Sequence, residues 1–175
     1  MKARLDALQK LGEIITGLVF PHPLRVAIDG VDTAGKTTLA DELGPVLADF
    51  GRPVMRSSID GFHNPRNVRY RQGVDSPQGY YQDSFNYRAL LRELLIPLGP
   101  DGDRKYRQSI FDYQSGTSTN ASQSTATEDA ILLFDGIFLM RPELISYWDF
   151  CIFVDIDFKE ALQRGVERDC RHLGE

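Results

Sequence analysis

A three-layer α/β/α fold around a mainly parallel sheet is predicted for this chain by three observations. Strand-like segments recur at 24–30, 54–60, 130–138 and 149–157, apolar runs in the first and the last two. Helix-like segments at 37–51, 83–99 and 158–175 lie between or after them, and strands separated by helices favour parallel pairing with helices on both faces. The turn from the first strand into the next helix reads GVDTAGKT, residues 30–37, which matches GxxxxGK[ST] in the strand-to-helix context that a phosphate-binding loop requires. The predicted fold is therefore that of a P-loop NTPase.

The elements follow in order. Leu5, Leu8, Leu11, Ile14, Ile15 and Leu18 recur at helical spacing, so residues 1–20 are predicted to form an amphipathic helix packed on the main body. LRVAIDG is the first strand, and TTLADELGPVLADFG is a helix closed by Gly51. VMRSSID is the second strand, expected to lie beside the first. Residues 61–82 are polar and loop-rich, with Phe62, His63, Tyr70, Tyr80 and Tyr81 among them, and a loop of that length is usually functional. A helix over 83–99 takes Asp83 or Ser84 as its N-cap. A strand is expected around 105–113, followed by a Ser-, Thr-, Gln- and Asn-rich hairpin tip reaching about 127. AILLFDGIF and DFCIFVDID read as buried strands joined by a short helical piece near RPELISYW. FKEALQRGVERDCRHLGE reads as a helix carrying Arg164, Arg168 and Arg171. No internal repeat or domain boundary stands out. The whole of 1–175 reads as one domain, with 61–82 and 105–128 as substrate-side insertions and 158–175 as a lid region that is incomplete.

Composition sets the outer limits. The 175 residues are 42% hydrophobic and 26% charged, which fits a folded protein with a real core. The net charge of −5 argues against a broad nucleic-acid surface, although a local positive cluster can still hold a small anion. No apolar run reaches the length of a membrane span and MKARLDALQK lacks a secretory pattern, so the expected location is cytoplasmic with no membrane partner. Two cysteines, Cys151 and Cys170, in no metal-binding spacing indicate neither a disulfide framework nor a zinc site.

The chemistry rests on the loop and on two aspartates. From Gly30 through Asp32, Thr33, Ala34, Gly35, Lys36, Thr37 and Thr38 the backbone can turn its N–H groups inward as an anion nest at a helix N-terminus. Lys36 would reach the β- and γ-phosphates of ATP and the Thr37 hydroxyl would ligate Mg²⁺. Asp60, at the end of the second strand, can accept a proton from an attacking hydroxyl or touch the metal; the alternative is an Asp-Gly turn. Asp135, closing ILLFD, is the Walker B candidate for holding Mg²⁺, with a strand-end cap as the alternative. Arg164 and Arg168, four apart, could both face phosphates or form an ordinary solvated helix face.

GVDTAGKTT, SSIDGFH, FDGI, FVDID and RGVERD, in that order, resemble the uridine kinase and phosphoribulokinase group of P-loop kinases over residues 24 to 170. The resemblance implies transfer of the γ-phosphoryl of ATP, with Mg²⁺, to the hydroxyl of a small molecule, foremost the 5′-hydroxyl of a pyrimidine ribonucleoside. It places Asp60 as the base, His63 as a substrate contact, Phe111 near a base-stacking aromatic, and Arg164 and Arg168 as lid arginines. It also suggests a homo-oligomer, since the group often assembles. Three departures stand out. Tyr80, followed by Tyr81, occupies the place of an acid that binds ribose hydroxyls; Gly116 replaces a base-contacting His; and the chain stops at RHLGE inside the lid. Pantothenate, nicotinamide riboside or a sugar phosphate are alternative acceptors. A nucleotide-binding regulatory module without turnover is the alternative from a different class.

Overall fold

The structure is a computed structural model and describes residues 2–113, 115–119 and 121–173. Its elements are α1 (Lys2–Thr16), β1 (Leu24–Gly30), α2 (Lys36–Asp49), β2 (Val54–Ser58), α3 (Arg66–Arg69), α4 (Pro77–Asp83), α5 (Tyr87–Leu90), β3 (Lys105–Tyr106), β4 (Phe111–Asp112), β5 (Thr117–Ser118), β6 (Ser124–Thr125), β7 (Ile131–Asp135), β8 (Phe150–Val154) and α6 (Phe158–Leu173). Four parallel strands form the sheet in the order β2-β7-β1-β8. No helix among the described residues is long and apolar enough to cross a membrane.

Period-2 alternation divides the core between the two sheet faces. On one face Leu24, Val26 and Ile28 of β1, with Ile131 and Leu133 of β7, pack against Leu8 and Ile15 of α1 and Leu43 and Leu47 of α2. On the other, Leu132 and Phe134 meet Phe62, Leu90, Leu94 and Trp148. Phe134 lies tilted against Trp148, with ring centroids 5.3 Å apart. Arg25 is buried in β1 and bound by Asp149 through bonds of 2.8 and 3.0 Å, so its charge is neutralised where it is desolvated.

Several expectations are corrected. β2 does not lie beside β1, because β7 is inserted between them. β8 is one edge of the sheet, opposite β2, rather than a buried strand, with Phe153 exposed. The helix expected over 83–99 begins later: Asn86 caps α5 by accepting from the Ala89 N–H, and a π turn at Leu91–Leu95 follows. Asp83 is not an N-cap but the last residue of α4, whose own cap is Ser76. The stretch 61–82 holds α3 and α4, and the strand expected over 105–113 is two short ones. β3 pairs antiparallel with β6 and β4 with β5, so the Ser/Thr-rich stretch folds back on the arm before it. Gln114 and Asn120 of that stretch lie outside the described residues. A row of exposed apolar side chains, Phe158, Leu162 and Val166, runs along α6, which the helical spacing of the sequence already contained.

Candidate active site

The inner strands β1 and β7 and the edge strand β2 each deliver a functional group at their C-terminal ends, the position where open parallel sheets bind ligands. The loop after β1 turns into α2 through Gly35, whose φ of 91° is left-handed and suits glycine. Lys36 follows, largely buried, and its Nζ donates to the Val31 carbonyl at 2.8 Å across the loop. Burial pulls the Lys36 pKa below its ordinary value, against the opposing charges of Asp32, Asp29, Asp135 and Asp60. Such a lysine gains most from an anion placed on the loop.

Thr37 Oγ1 donates to Asp135 Oδ2 at 2.6 Å. Asp135 is buried at the end of β7, and its other oxygen accepts from Arg56 at 3.1 Å. A hydroxyl and a carboxylate side by side are the hard-oxygen ligands that Mg²⁺ takes, with phosphate and water completing the shell. The donor pair therefore fits Mg²⁺. Among the described residues no cluster of three or more His, Cys, Asp and Glu could hold a metal ion.

Asp60 belongs to a 3-10 turn, Ile59–Phe62, that Ser58 caps through its hydroxyl at 3.3 Å from the Asp60 N–H. The capping is done by Ser58, so the Asp60 carboxylate is not consumed as a turn former; its side chain is 70% exposed, and His63 Nε2 approaches it at 3.4 Å. The other ring nitrogen, Nδ1, lies 3.1 Å from the Ser84 carbonyl, which only accepts, so Nδ1 carries a proton. Gly61 has a different reason from the freedom to turn expected of an Asp-Gly pair. A Cβ on it would lie 2.7 Å from the Ser109 Cβ, so the arm carrying β3 and β4 can dock only on glycine.

One cavity of about 530 Å³ gathers these groups. Asp32, Thr33, Gly35, Lys36, Thr37 and Thr38 line it from the loop, Asp60 and Asp135 from the strand ends, Arg164 and Arg168 from α6, and His63 and Tyr80 from the segment between β2 and α5. Arg168 bonds Asp32 at 3.2 Å, Arg164 pairs with Glu160, and Thr33 Oγ1 donates to the Ala161 carbonyl at 2.6 Å, so α6 is docked on the phosphate loop. Burial opposes ionisation of Asp32, but the Arg168 hydrogen bond and charge outweigh it and hold the carboxyl below its usual range. Burial pushes the Tyr80 phenol up to about 12, with Asp32 and Asp60 adding to the effect.

Four expected residues fall elsewhere. Gly30 and Tyr81 line a neighbouring apolar cavity of about 390 Å³, which Tyr80 shares. Ala34 is buried in the loop. Phe111 is buried behind His63, with ring centroids 6.4 Å apart, and does not reach the cavity; Tyr113 takes the place expected of it, 4.7 Å from His63. Sequence reasoning missed Arg56, Arg69 and Tyr113. A charge inside the strand VMRSS was a usable signal for Arg56, whereas only the packing brings the other two to the cavity.

No protein-family model matches the chain. A uridine kinase of Leuconostoc citreum is 28% identical over 160 residues, covering 87% of this chain and 71% of that protein. Uridine-cytidine kinase B of Dictyostelium discoideum is 27% identical over 154 residues, again 87% of this chain but 61% of the relative, so the chain spans about three-fifths of that protein. Among solved structures, a possible uridine kinase from Bacillus stearothermophilus superimposes with a TM-score of 0.77 at 23% identity, covering 92% of this chain and 85% of the other. A Silicibacter protein proposed to be a fructose transport system kinase gives 0.77 at 22% identity, covering 94% and 82%. The chain is thus similar to uridine kinases in sequence and shares its fold with solved kinase structures.

Proposed function

We propose that the chain is an ATP-dependent kinase that transfers the γ-phosphoryl group to the hydroxyl of a small molecule. The observation that supports this best is the meeting of Lys36, the Thr37–Asp135 pair and the exposed Asp60 carboxylate on one cavity. In this reading residues 1–175 act as one kinase domain, with the α3–α4 segment and the β3–β6 arm on the acceptor side and α6 as the lid. The loop N–H groups and Lys36 hold the triphosphate in line with the acceptor. Mg²⁺ at Thr37 and Asp135 would supply positive charge against the phosphate oxygens. Asp60 orients the acceptor hydroxyl and takes its proton as the new O–P bond forms and the bond to the ADP oxygen breaks. Arg164 and Arg168 neutralise charge on the migrating group.

The 5′-hydroxyl of a pyrimidine ribonucleoside is the acceptor that the relatives' names bring to this chain. Another alcohol is favoured by one observation. Asp83, the next acid along the chain after Tyr80 and Tyr81, is buried and engaged by Arg71 at 2.9 Å and Gln72 at 2.6 Å, away from the cavity lining.

Coupled ADP release with MgATP tests the proposal against uridine, cytidine, pantothenate and sugar phosphates, with Asp60→Asn alongside. Turnover on an acceptor that falls about 10²- to 10⁴-fold in the variant is the expected result. ATP binding without turnover on any acceptor would favour the regulatory module.

A further inference from the structure

The acceptor end of the cavity is bounded by His63, Arg69, Tyr70, Ser84, Phe85 and Tyr113. Its one formal cation is Arg69, whose guanidinium carbon lies 5.3 Å from the ring centroids of both Tyr70 and Tyr113. The two rings flank the group without supplying an anion. No carboxylate among the described residues lies within ion-pair distance of Arg69, and its Nε is buried with no hydrogen-bond partner. That nitrogen has almost no exposed surface, so a ligand in the cavity would meet the group through its terminal nitrogens.

Of the three carboxylates of the cavity, Asp32 and Asp135 belong to the loop and its Thr37 partner, and Asp60 stands at the junction with His63. Asp83, which could have made the acceptor end acidic, is taken up by Arg71 and Gln72. Across that end, contacts run from Asp60 to His63 at 3.4 Å, then from His63 to Tyr113 with ring centroids 4.7 Å apart, then to Arg69. A ligand with its hydroxyl at Asp60 would thus direct its far end toward a planar guanidinium, which matches the two oxygens of a carboxylate or phosphate.

We infer that the acceptor is an anionic alcohol, one carrying a phosphate or a carboxylate, and that Arg69 is the residue that selects it. This rests on the kinase reading above for its hydroxyl and sharpens it at the opposite end of the substrate. The nucleoside named for the relatives is neutral and would leave Arg69 unpaired.

The test compares matched neutral and anionic alcohols: D-ribose with D-ribose 5-phosphate, and glycerol with D-glycerate, together with uridine. ADP release and equilibrium binding are both measured, on the wild type, Arg69→Gln and Arg69→Lys, with MgATP affinity as the check that the fold is intact. The expected result is at least a tenfold preference for an anionic member, a rise of about ten- to a hundredfold in its KM and Kd in Arg69→Gln, and partial recovery in Arg69→Lys. The phosphate and carboxylate arms tell the two anions apart. Turnover of neutral alcohols in preference, or equal binding by wild type and Arg69→Gln, overturns the inference and leaves the kinase reading standing. Binding of an anionic alcohol that Arg69→Gln abolishes, with no turnover of anything, sustains the anion site and removes the kinase reading.

Discussion

Arg168 of α6 and Asp32 of the phosphate loop face each other at 3.2 and 3.3 Å, on the wall of the cavity in which Lys36 lies. The pair holds α6 to the loop from a position where a bound triphosphate would compete with Asp32 for the same arginine. Both side chains are about half exposed, so the pair itself stabilises the fold by about 1 kcal/mol or less. Arg168→Gln should therefore lower kcat by about 100-fold while shifting stability by no more than that amount. Steady-state kinetics and urea denaturation of the same preparation check it, and a large loss of stability would make Arg168 a structural residue instead.

The contact between Thr37 and Asp135 carries a prediction about the metal. Asp135→Asn keeps the shape at the end of β7 but removes the charge, so the Mg²⁺ concentration for half-maximal activity should rise at least tenfold. A Mg²⁺ titration with ATP held saturating reads this directly. An unchanged midpoint would leave Asp135 as the partner of Arg56 only.

Carboxyls that the fold makes more acidic, Glu143, Asp83, Asp32 and Glu93 among them, set an acid limit on stability. Hydrogen bonds from Arg141 hold Glu143 down to about 2, and those from Arg71 and Gln72 hold Asp83 below its usual range. A carboxyl that is more acidic in the folded state stabilises the fold above its unfolded pKa, and that contribution disappears as pH falls through the folded value. Stability should accordingly be level above about pH 4.5 and decline toward pH 2. Asp83→Asn should unfold more easily at neutral pH yet show a shallower acid decline, measured by thermal melts across the range.

Two glycines separate steric from conformational cost. Gly61→Ala places a Cβ 2.7 Å from the Ser109 Cβ and should destabilise by about 1–3 kcal/mol, because the arm must move. Gly35→Ala meets nothing within 4 Å but must hold a φ of +91°, at a cost of about 1–2 kcal/mol. The two differ in consequence: Gly61→Ala should raise acceptor KM, whereas Gly35→Ala should raise the KM for ATP. Kinetics with each substrate varied in turn distinguish them.

Local pattern was sufficient for β1, α2 and β7 because apolar period and a strand-to-helix glycine motif are properties of neighbouring residues. The Ile131–Asp135 run is buried at every position, as its composition required. The loop residues and the strand-end aspartates were legible for the same reason, since GVDTAGKT, SSID and LLFD each carry their own context. Strand order was not legible: nothing within β2 or β1 records that β7, more than 70 positions beyond β2, is inserted between them. Asp83 met the local criteria for a cap, but its burial depends on Arg71 and Gln72 on an earlier turn of chain. Phe111 and Tyr113 are two residues apart and chemically alike; only the docking of the arm on Gly61 and His63 sends one into the core and the other to the cavity. The sequence by itself determined the phosphate loop, the two aspartates and the α/β/α layers, whose signals are local. The tertiary structure alone decided which residues line the cavity beyond Asp60 and that Arg69, set between Tyr70 and Tyr113, is among them, because those outcomes depend on packing between segments far apart in the chain.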